Sequence, residues 1–323
     1  MNDWIELAEV RGDGLVFAPH LRELGVKRSQ LAEALRRGIL YAVRPGVYAR
    51  PPAPTSEGRA LRHRNLVRAL VAVAPGHVVS HFSAAAIHGL PIIGAWPARV
   101  DVLDFRARGG SSRPGFAAHR SLVEPPAELV DGVAVTTLER TLVDLAATST
   151  LLVATTALDS ALHDGRTTRE LLAEELELVA PRYGRRRAEE VIQFADGRSA
   201  TPGESLSRVR THQLDFEARE LQIHVSTWLG EHDVDFGWES AALFGEFDGF
   251  GKYSREEYLK GETSAQAVVR EKAREDAIRA KTKRAFVRWG WADALSPRRF
   301  ERILREGGVP SRRGARKVSR SLK

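Results

Sequence analysis

Apolar residues recur at helical spacing over the first fifty positions and then alternate. Trp4, Ile5, Leu7 and Ala8 predict a short amphipathic helix that stops near Gly12 and Gly14. Phe17 to Gly25 predicts a second short helix, with Gly25 just past its end. Ser29 is placed to cap a third, Gln30 to Arg37, which Gly38 stops. Ile39-Leu-Tyr41 and Val47-Tyr-Ala49 then flank Arg44-Pro-Gly46, the pattern of a hairpin. Helix, Gly turn, helix and hairpin together predict a winged helix-turn-helix. Its second helix would enter the major groove. Lys27, Arg28, Gln30, Arg36 and Arg37 lie on or beside that helix, and Arg44 would touch a phosphate from the wing tip. A small structural module with solvated charges fits the same pattern.

Pro51-Pro-Ala-Pro54 reads as a linker. Beyond it the spacing predicts helices over Arg59 to Val73, Ser80 to His88 and Leu138 to Ala147, the last capped by Thr137. Arg99 to Asp104 and Val133 to Val135 read as strands, and Arg106 to Gly115 as a loop. Residues 150–196 read as mostly helical, with a basic loop at Arg185-Arg-Arg187. From 198 the pattern changes. Thr201-Pro-Gly-Glu204 opens a helix that runs to about His212. Strands follow over Leu221 to Thr227, Asp233 to Trp238 and Ala241 to Phe247. A long charged helix, Ser264 to Thr282, precedes a strand, Arg284 to Trp289, and a last helix, Pro297 to Arg305. That order makes a compact α/β unit. No internal repeat is present.

Composition narrows the function. The 323 residues include no cysteine, which excludes disulfides, thiolate zinc sites and cysteine nucleophiles. The mixed, acidic start Met1-Asn-Asp-Trp4 is unlike a signal peptide, and no apolar run approaches the ~18–20 residues of a membrane span, so a cytoplasmic, membrane-free protein is expected. The net charge of +7 is unevenly placed: residues 298–323 hold ten basic and two acidic side chains, or +8, leaving −1 for the rest. Such a tail suits a polyanion, and equally a solvated chain end. No phosphate-loop, dinucleotide, zinc-protease or serine-hydrolase motif occurs, so no small-molecule cofactor is expected. His77 and His81, four apart, read as structural rather than metal-binding.

The sharpest chemical signal is a set of acids in the last unit. Asp235 stands in Val234-Asp-Phe-Gly-Trp238. Glu246 and Asp248, two apart, share one face of the next strand. If Glu239-Ser240 is a two-residue turn, Asp235 lies opposite Phe244, with Glu246 diagonal at roughly 7–8 Å. Converging carboxylates repel unless a cation neutralises them, and oxygen ligands select Mg²⁺ or Mn²⁺. Such an ion can acidify a water for attack on a phosphodiester. Lys272 and Lys252 are the nearby lysines able to stabilise the resulting charge. Glu204 closes a Thr201-x-x-Glu capping box and has a second possible use as an auxiliary acid. Asp248-Gly249 is also a turn signal, and a solvated sheet face would also carry these acids.

Ser199 to Arg208, Val234-Asp-Phe236, Gly245-Glu-Phe-Asp-Gly249 and Arg270-Glu-Lys-Ala-Arg-Glu-Asp276 resemble the very-short-patch-repair-like domains of the PD-(D/E)XK nuclease superfamily, over roughly 198–295. The resemblance implies Asp235 and Glu246 as metal ligands and Glu204 as an auxiliary acid. It places Asp248 where the superfamily has a lysine, a departure for which Lys272 or Lys252 would compensate. Arg28-Ser-Gln-Leu31, Arg44-Pro-Gly-Val-Tyr48, Ser80-His-Phe-Ser-Ala-Ala85, His88-Gly-Leu90 and Thr137-Leu-Glu-Arg-Thr-Leu-Val-Asp144 resemble the antitoxin of the AbiE abortive-infection system, a type IV toxin–antitoxin, over roughly 1–150. That resemblance implies operator DNA and a cognate toxin as partners.

The expectation is therefore a mixed α/β, α+β multidomain protein. It would have a winged helix-turn-helix over 1–50, a middle α/β and helical domain over 57–196, a nuclease-like α/β domain over 198–297 and a basic tail over 298–323. The expected function is a DNA-binding protein with an Mg²⁺- or Mn²⁺-dependent deoxyribonuclease domain, in phage defence or DNA processing. The alternative is a non-catalytic antitoxin and repressor.

Overall fold

The computed structural model describes residues 3–104, 114–121, 126–179, 183–217, 219–249 and 264–312. It is a mixed α/β protein with three sheets among the described residues. The chain divides into two units, 1–157 with 167–194, and 158–166 with 195–323. No helix among the described residues is long and apolar enough to cross a membrane.

The first unit begins with α1 (Asp3–Arg11), β1 (Val16–Phe17), α2 (Ala18–Glu23), α3 (Arg28–Arg36), β2 (Tyr41–Arg44) and β3 (Val47–Ala49). The strands form an antiparallel sheet in the order β1-β3-β2. This is the element order of a winged helix-turn-helix. Ile5, Ala8, Val16, Leu21, Ala34 and Leu40 make its core. The turn between α2 and α3 requires Gly25, whose φ of 68° lets the Val26 N–H reach back to Leu21 O at 2.9 Å. β1 is too short to leave a periodic signal, which is why the sequence shows only the hairpin.

Next come α4 (Ser56–Val73), β4 (Val78–Val79), α5 (His81–Ile87), β5 (Val100–Asp104), β6 (Phe116–Arg120), β7 (Ala127–Val130), β8 (Val133–Thr136), α6 (Leu138–Thr148), α7 (Leu151–His163), α8 (Arg169–Val179) and α9 (Arg185–Phe194). The five strands are ordered β6-β5-β4-β8-β7, with β5/β6 and β4/β8 parallel. Val67, Val79, Ile87, Val100, Val102, Phe116 and Val135 fill the core. Thr55 and Thr137 cap α4 and α6 through the Gly58 and Arg140 amides. Arg185 to Arg187, expected as a loop, open α9 instead. Arg185 and Arg186 pair at i,i+4 with Glu189 and Glu190, each at 3.0 Å. β4, β6 and β7 escaped the sequence reading because none of them alternates cleanly.

The second unit contains α10 (Pro202–Gln213), β9 (Glu220–Thr227), β10 (Gly230–Trp238), β11 (Leu243–Asp248), α11 (Ser264–Thr282), β12 (Ala285–Gly290), α12 (Trp291–Ala294) and α13 (Pro297–Glu306). The sheet order is β12-β11-β10-β9, with β11 and β12 parallel and α11 between them in sequence. Phe244 packs with Ile278 of α11, whereas Phe247 on the other face touches Gly203 of α10. The two helices therefore cover opposite faces. Trp289 packs against Phe236 and Phe300 and donates to Ser207 Oγ at 2.7 Å.

One expectation is corrected here. The β10–β11 connection is four residues, a 3₁₀ turn over Glu239–Ala241 followed by Ala242 at φ 48°. It pairs Trp238 with Leu243 and Phe236 with Gly245, so the register is two residues from that of a two-residue turn. The described part of the 298–323 segment holds the expected last helix. Phe300 and Leu304 are fully buried, and Ser311 bridges to Phe216.

A Cβ at Gly203 would lie 2.0–2.5 Å from Phe247 ring carbons, whereas at Gly249 it meets Phe247 only at 3.9 Å. Gly203→Ala is expected to cost about 1–3 kcal/mol through overpacking, with Gly249→Ala near neutral. Urea midpoints would show this, and equal midpoints would contradict the packing of α10 on β11.

Candidate functional site

The N-terminal turn of α3 is an exposed basic surface. The helix starts two residues earlier than the Ser29 cap implied. Lys27 takes the cap position, and its amide donates to Gln30 Oε1 at 2.8 Å. Lys27, Arg28, Ser29 and Gln30 are all exposed. Arg36 and Arg37, at the other end, fold back onto Glu33, the latter at 2.6 Å. Arg44 closes β2 but is half-buried, with its Nη1 enclosed and without a hydrogen bond, so it does not project from the wing as expected.

A second polar cluster lies under α5. His81 begins that helix in a left-handed conformation, φ 49°, and is buried. Its ring stacks on His119 of β6 at 3.7 Å between centroids and accepts or donates with Ser80 Oγ at 3.0 Å. His119 Nε2 meets Asp101 Oδ1 of β5 at 2.8 Å. Arg140 and Asp144, one turn apart on α6, form a buried ion pair at 3.0 Å. Burial pushes the His81 pKa down to about 3, helped by His119 and Arg140 and opposed by Asp101. The ring is therefore neutral near pH 7, and its 3.8 Å approach to Asp144 is not an ion pair. Burial raises the Asp144 pKa against the pull of Arg140. His77 precedes β4, so it shares no helix face with His81.

The third cluster is the acid row of the second unit. The β10–β11 ladder ends at the Phe236–Gly245 pair, with Asp235 and Glu246 the next residue on each strand. Glu246 pairs in the parallel ladder with Arg288. It is 4% exposed, and both its oxygens hold guanidinium groups: Oε1 that of Arg274 from α11, and Oε2 that of Arg288 at 2.5 Å. Arg288 also meets Glu271 at 2.8 Å, Glu275 at 2.9 Å and Asp248 at 3.2 Å. Burial lowers the pKa of Arg274 and Arg288, but hydrogen bonds and charge from Glu271 and Glu246 outweigh it and hold both above the usual arginine value. Burial likewise raises Glu271, but the two arginines leave it net lowered.

This arrangement tests the metal expectation. Asp235 Oδ2 accepts the Phe247 N–H at 2.8 Å, where β10 and β11 diverge. Glu204 is buried and committed to its helix start. It accepts from Thr201 Oγ1 (2.8 Å), the Ala200 N–H (3.0 Å) and Gln222 Nε2 (2.9 Å). Lys272 is exposed, while Glu271, Arg274, Glu275 and Ile278 of the same helix turn inward. Lys252 lies outside the described residues. A divalent ion between Asp235 and Glu246 would sit against two guanidinium charges, so these side chains as placed do not fit one. Among the described residues, no group of three or more acids or histidines is placed to hold a metal. Arg274 and Arg288 were missed in the sequence reading.

The middle cluster falls within a recognisable segment. Residues 77–194 match the model of the AbiEi antitoxin C-terminal domain. The match covers about a third of the chain. The crystal structure of the RV2827C protein from Mycobacterium tuberculosis is similar at 17% identity and a TM-score of 0.35, over 70% of this chain and 89% of that one. No curated protein matches in sequence.

Two outcomes follow from the buried charges. Glu246→Ala should cost about 3 kcal/mol, the low end for a broken buried pair, because Glu271, Glu275 and Asp248 still face Arg288. An unchanged denaturation midpoint would contradict the clamp. His81 binds its proton more weakly folded than unfolded, so its contribution to stability is present above pH 6.5 and lost as pH falls toward 3. Asp144, with its raised pKa, works in the opposite sense. Asparagine tolerates the left-handed conformation and cannot titrate. His81→Asn should therefore flatten the fall in Tm between pH 6.5 and 4, and parallel Tm–pH curves would contradict a neutral buried His81.

Proposed function

We propose that the chain is a DNA-binding regulator of the antitoxin type. The observation that carries this reading is the AbiEi antitoxin domain at 77–194, preceded in the same unit by a helix-turn-helix and hairpin. The exposed start of α3 supplies the DNA surface. There Lys27 and Arg28 meet phosphates, and Gln30 reaches a base edge in the major groove. A cognate toxin is the partner of the 77–194 domain.

The second unit contains the acids that suggested a nuclease. Its central carboxylate is neutralised by arginine, the charge a metal would otherwise supply. We therefore read this unit as a non-catalytic module.

One experiment decides between the readings. The full chain is titrated against duplex DNA from its own upstream region at several salt concentrations, then incubated with plasmid in Mg²⁺ and in Mn²⁺. Salt-sensitive binding without cleavage is expected, and removing one phosphate contact, as in Arg28→Ala, should lower the salt slope by about 0.9. Cleavage that Asp235→Ala and Glu246→Ala both abolish would restore the nuclease reading. Binding unaffected by Lys27→Ala and Arg28→Ala would remove α3 from the interface.

A further inference from the structure

The first helix is apolar on two sides. Ile5 and Ala8 of α1 are fully buried in the core of the helix-turn-helix. Trp4, Leu7 and Val10 recur every three residues on another side, so they form one ridge along the helix. Trp4 is half-buried, whereas Leu7 is 55% and Val10 81% exposed. A surface helix ordinarily turns polar side chains outward. Packing within the chain therefore accounts for Ile5 and Ala8 but not for Leu7 and Val10.

An open cavity of about 250 Å³ lies beside this ridge, between α1 and α3. Trp4, Ala34 and Ile39 supply its apolar lining, and Gln30, Glu33 and Arg37 its polar lining. Residues 30, 33, 34 and 37 share one flank of α3. Arg28 and Arg36 fall on a different flank by the same helical spacing, so the cavity leaves them open.

The two ends of α1 carry opposite charge. Asp3 and Glu6 stand in its first turn and Arg11 in its last. Arg11 meets Glu23 at 3.1 Å, but both side chains are exposed, so that pair is weak and readily exchanged. Two such helices laid antiparallel with Leu7 at the centre have a self-complementary sequence. Asp3 falls opposite Arg11, Trp4 opposite Val10, and Leu7 opposite itself. Each end then meets its opposite charge, the helix dipoles oppose one another, and an exposed valine meets the indole that lines the cavity. A two-fold axis makes every one of these contacts twice.

We propose that α1 is the contact between two copies of this chain, packed antiparallel about a two-fold axis at Leu7. Val10 of each copy sits against Trp4 at the cavity of the other. One short helix per copy is a small interface, so the dimer is weak and forms above micromolar concentration. The pairing leaves the exposed start of α3 free, and it stands whether or not the chain is an antitoxin.

Sedimentation equilibrium of the full chain, from low micromolar to near-millimolar, is the test. The wild-type mass should rise with concentration from that of one chain toward that of two. Leu7→Gln and Val10→Lys should each weaken association about ten-fold or more. Both positions are exposed, so the Tm of the dilute protein should stay unchanged. Arg11→Glu should also weaken association, and adding Asp3→Arg to the same chain should restore it. These two residues are eight apart on one helix and meet only across the axis, so a role within a single copy would give no such rescue. A chain that stays monomeric throughout overturns the proposal and leaves the ridge to a different protein. A dimer that Leu7→Gln, Val10→Lys and the charge reversals all leave unchanged overturns it too, because its contact then lies elsewhere.

Discussion

Moving a carboxylate or guanidinium out of water costs several kcal/mol, and a buried ion persists only where an opposite charge meets it with good geometry. This chain meets that condition at Arg140–Asp144 within α6, at Arg208–Asp159 between α10 and α7, and at Glu246 with Arg274 and Arg288. The last case fixes the most. Arg288 must stand level with Glu246, which sets the parallel register of β11 and β12. Arg274 must reach the other oxygen of the same carboxylate from α11, which sets how far along the sheet α11 lies. Ile278, one turn on, then falls over Phe244, so charge and apolar packing specify one placement.

Much of this was legible in the sequence. Every regular element of the second unit from α10 to β12 was anticipated, because its strands alternate and its helices carry clear ends. The acids were found for the same reason: Asp235 and Glu246 stand where strand interiors disfavour charge. The argument applies equally to Arg288, flanked by Val287 and Trp289, and would have found it. Arg274 could be seen only as one of six charges in Arg270 to Asp276, since spacing within a helix does not say which face meets a sheet. Glu204 shows the limit of a motif. Its capping box was visible, and so was a functional use, but only the Ala200, Thr201 and Gln222 donors show how its oxygens are occupied.

The segment similar to the AbiEi antitoxin domain gives the buried histidines a context. His81 and His119 stack within a polar core built from β5, β6, α5 and α6, and Thr137 to Asp144, which carried the family resemblance, contributes both members of its ion pair. The resemblance was thus written in residues whose work is to balance a desolvated core. A sequence likeness of this kind reports an architecture more directly than an activity.

The four-residue connection between β10 and β11 bears on how this unit can change over time. Side chains alternate along a strand, so a shift of two residues leaves Phe244, Glu246 and Asp248 facing α11, while a shift of one would turn them toward Trp289 and Phe247's aromatic neighbours. Length variation at Glu239 to Ala242 is therefore effectively quantised in pairs. Lineages descended from such a domain can lengthen or trim this loop in twos and keep the charge network, but a single-residue step has to be repaired elsewhere in the same strand.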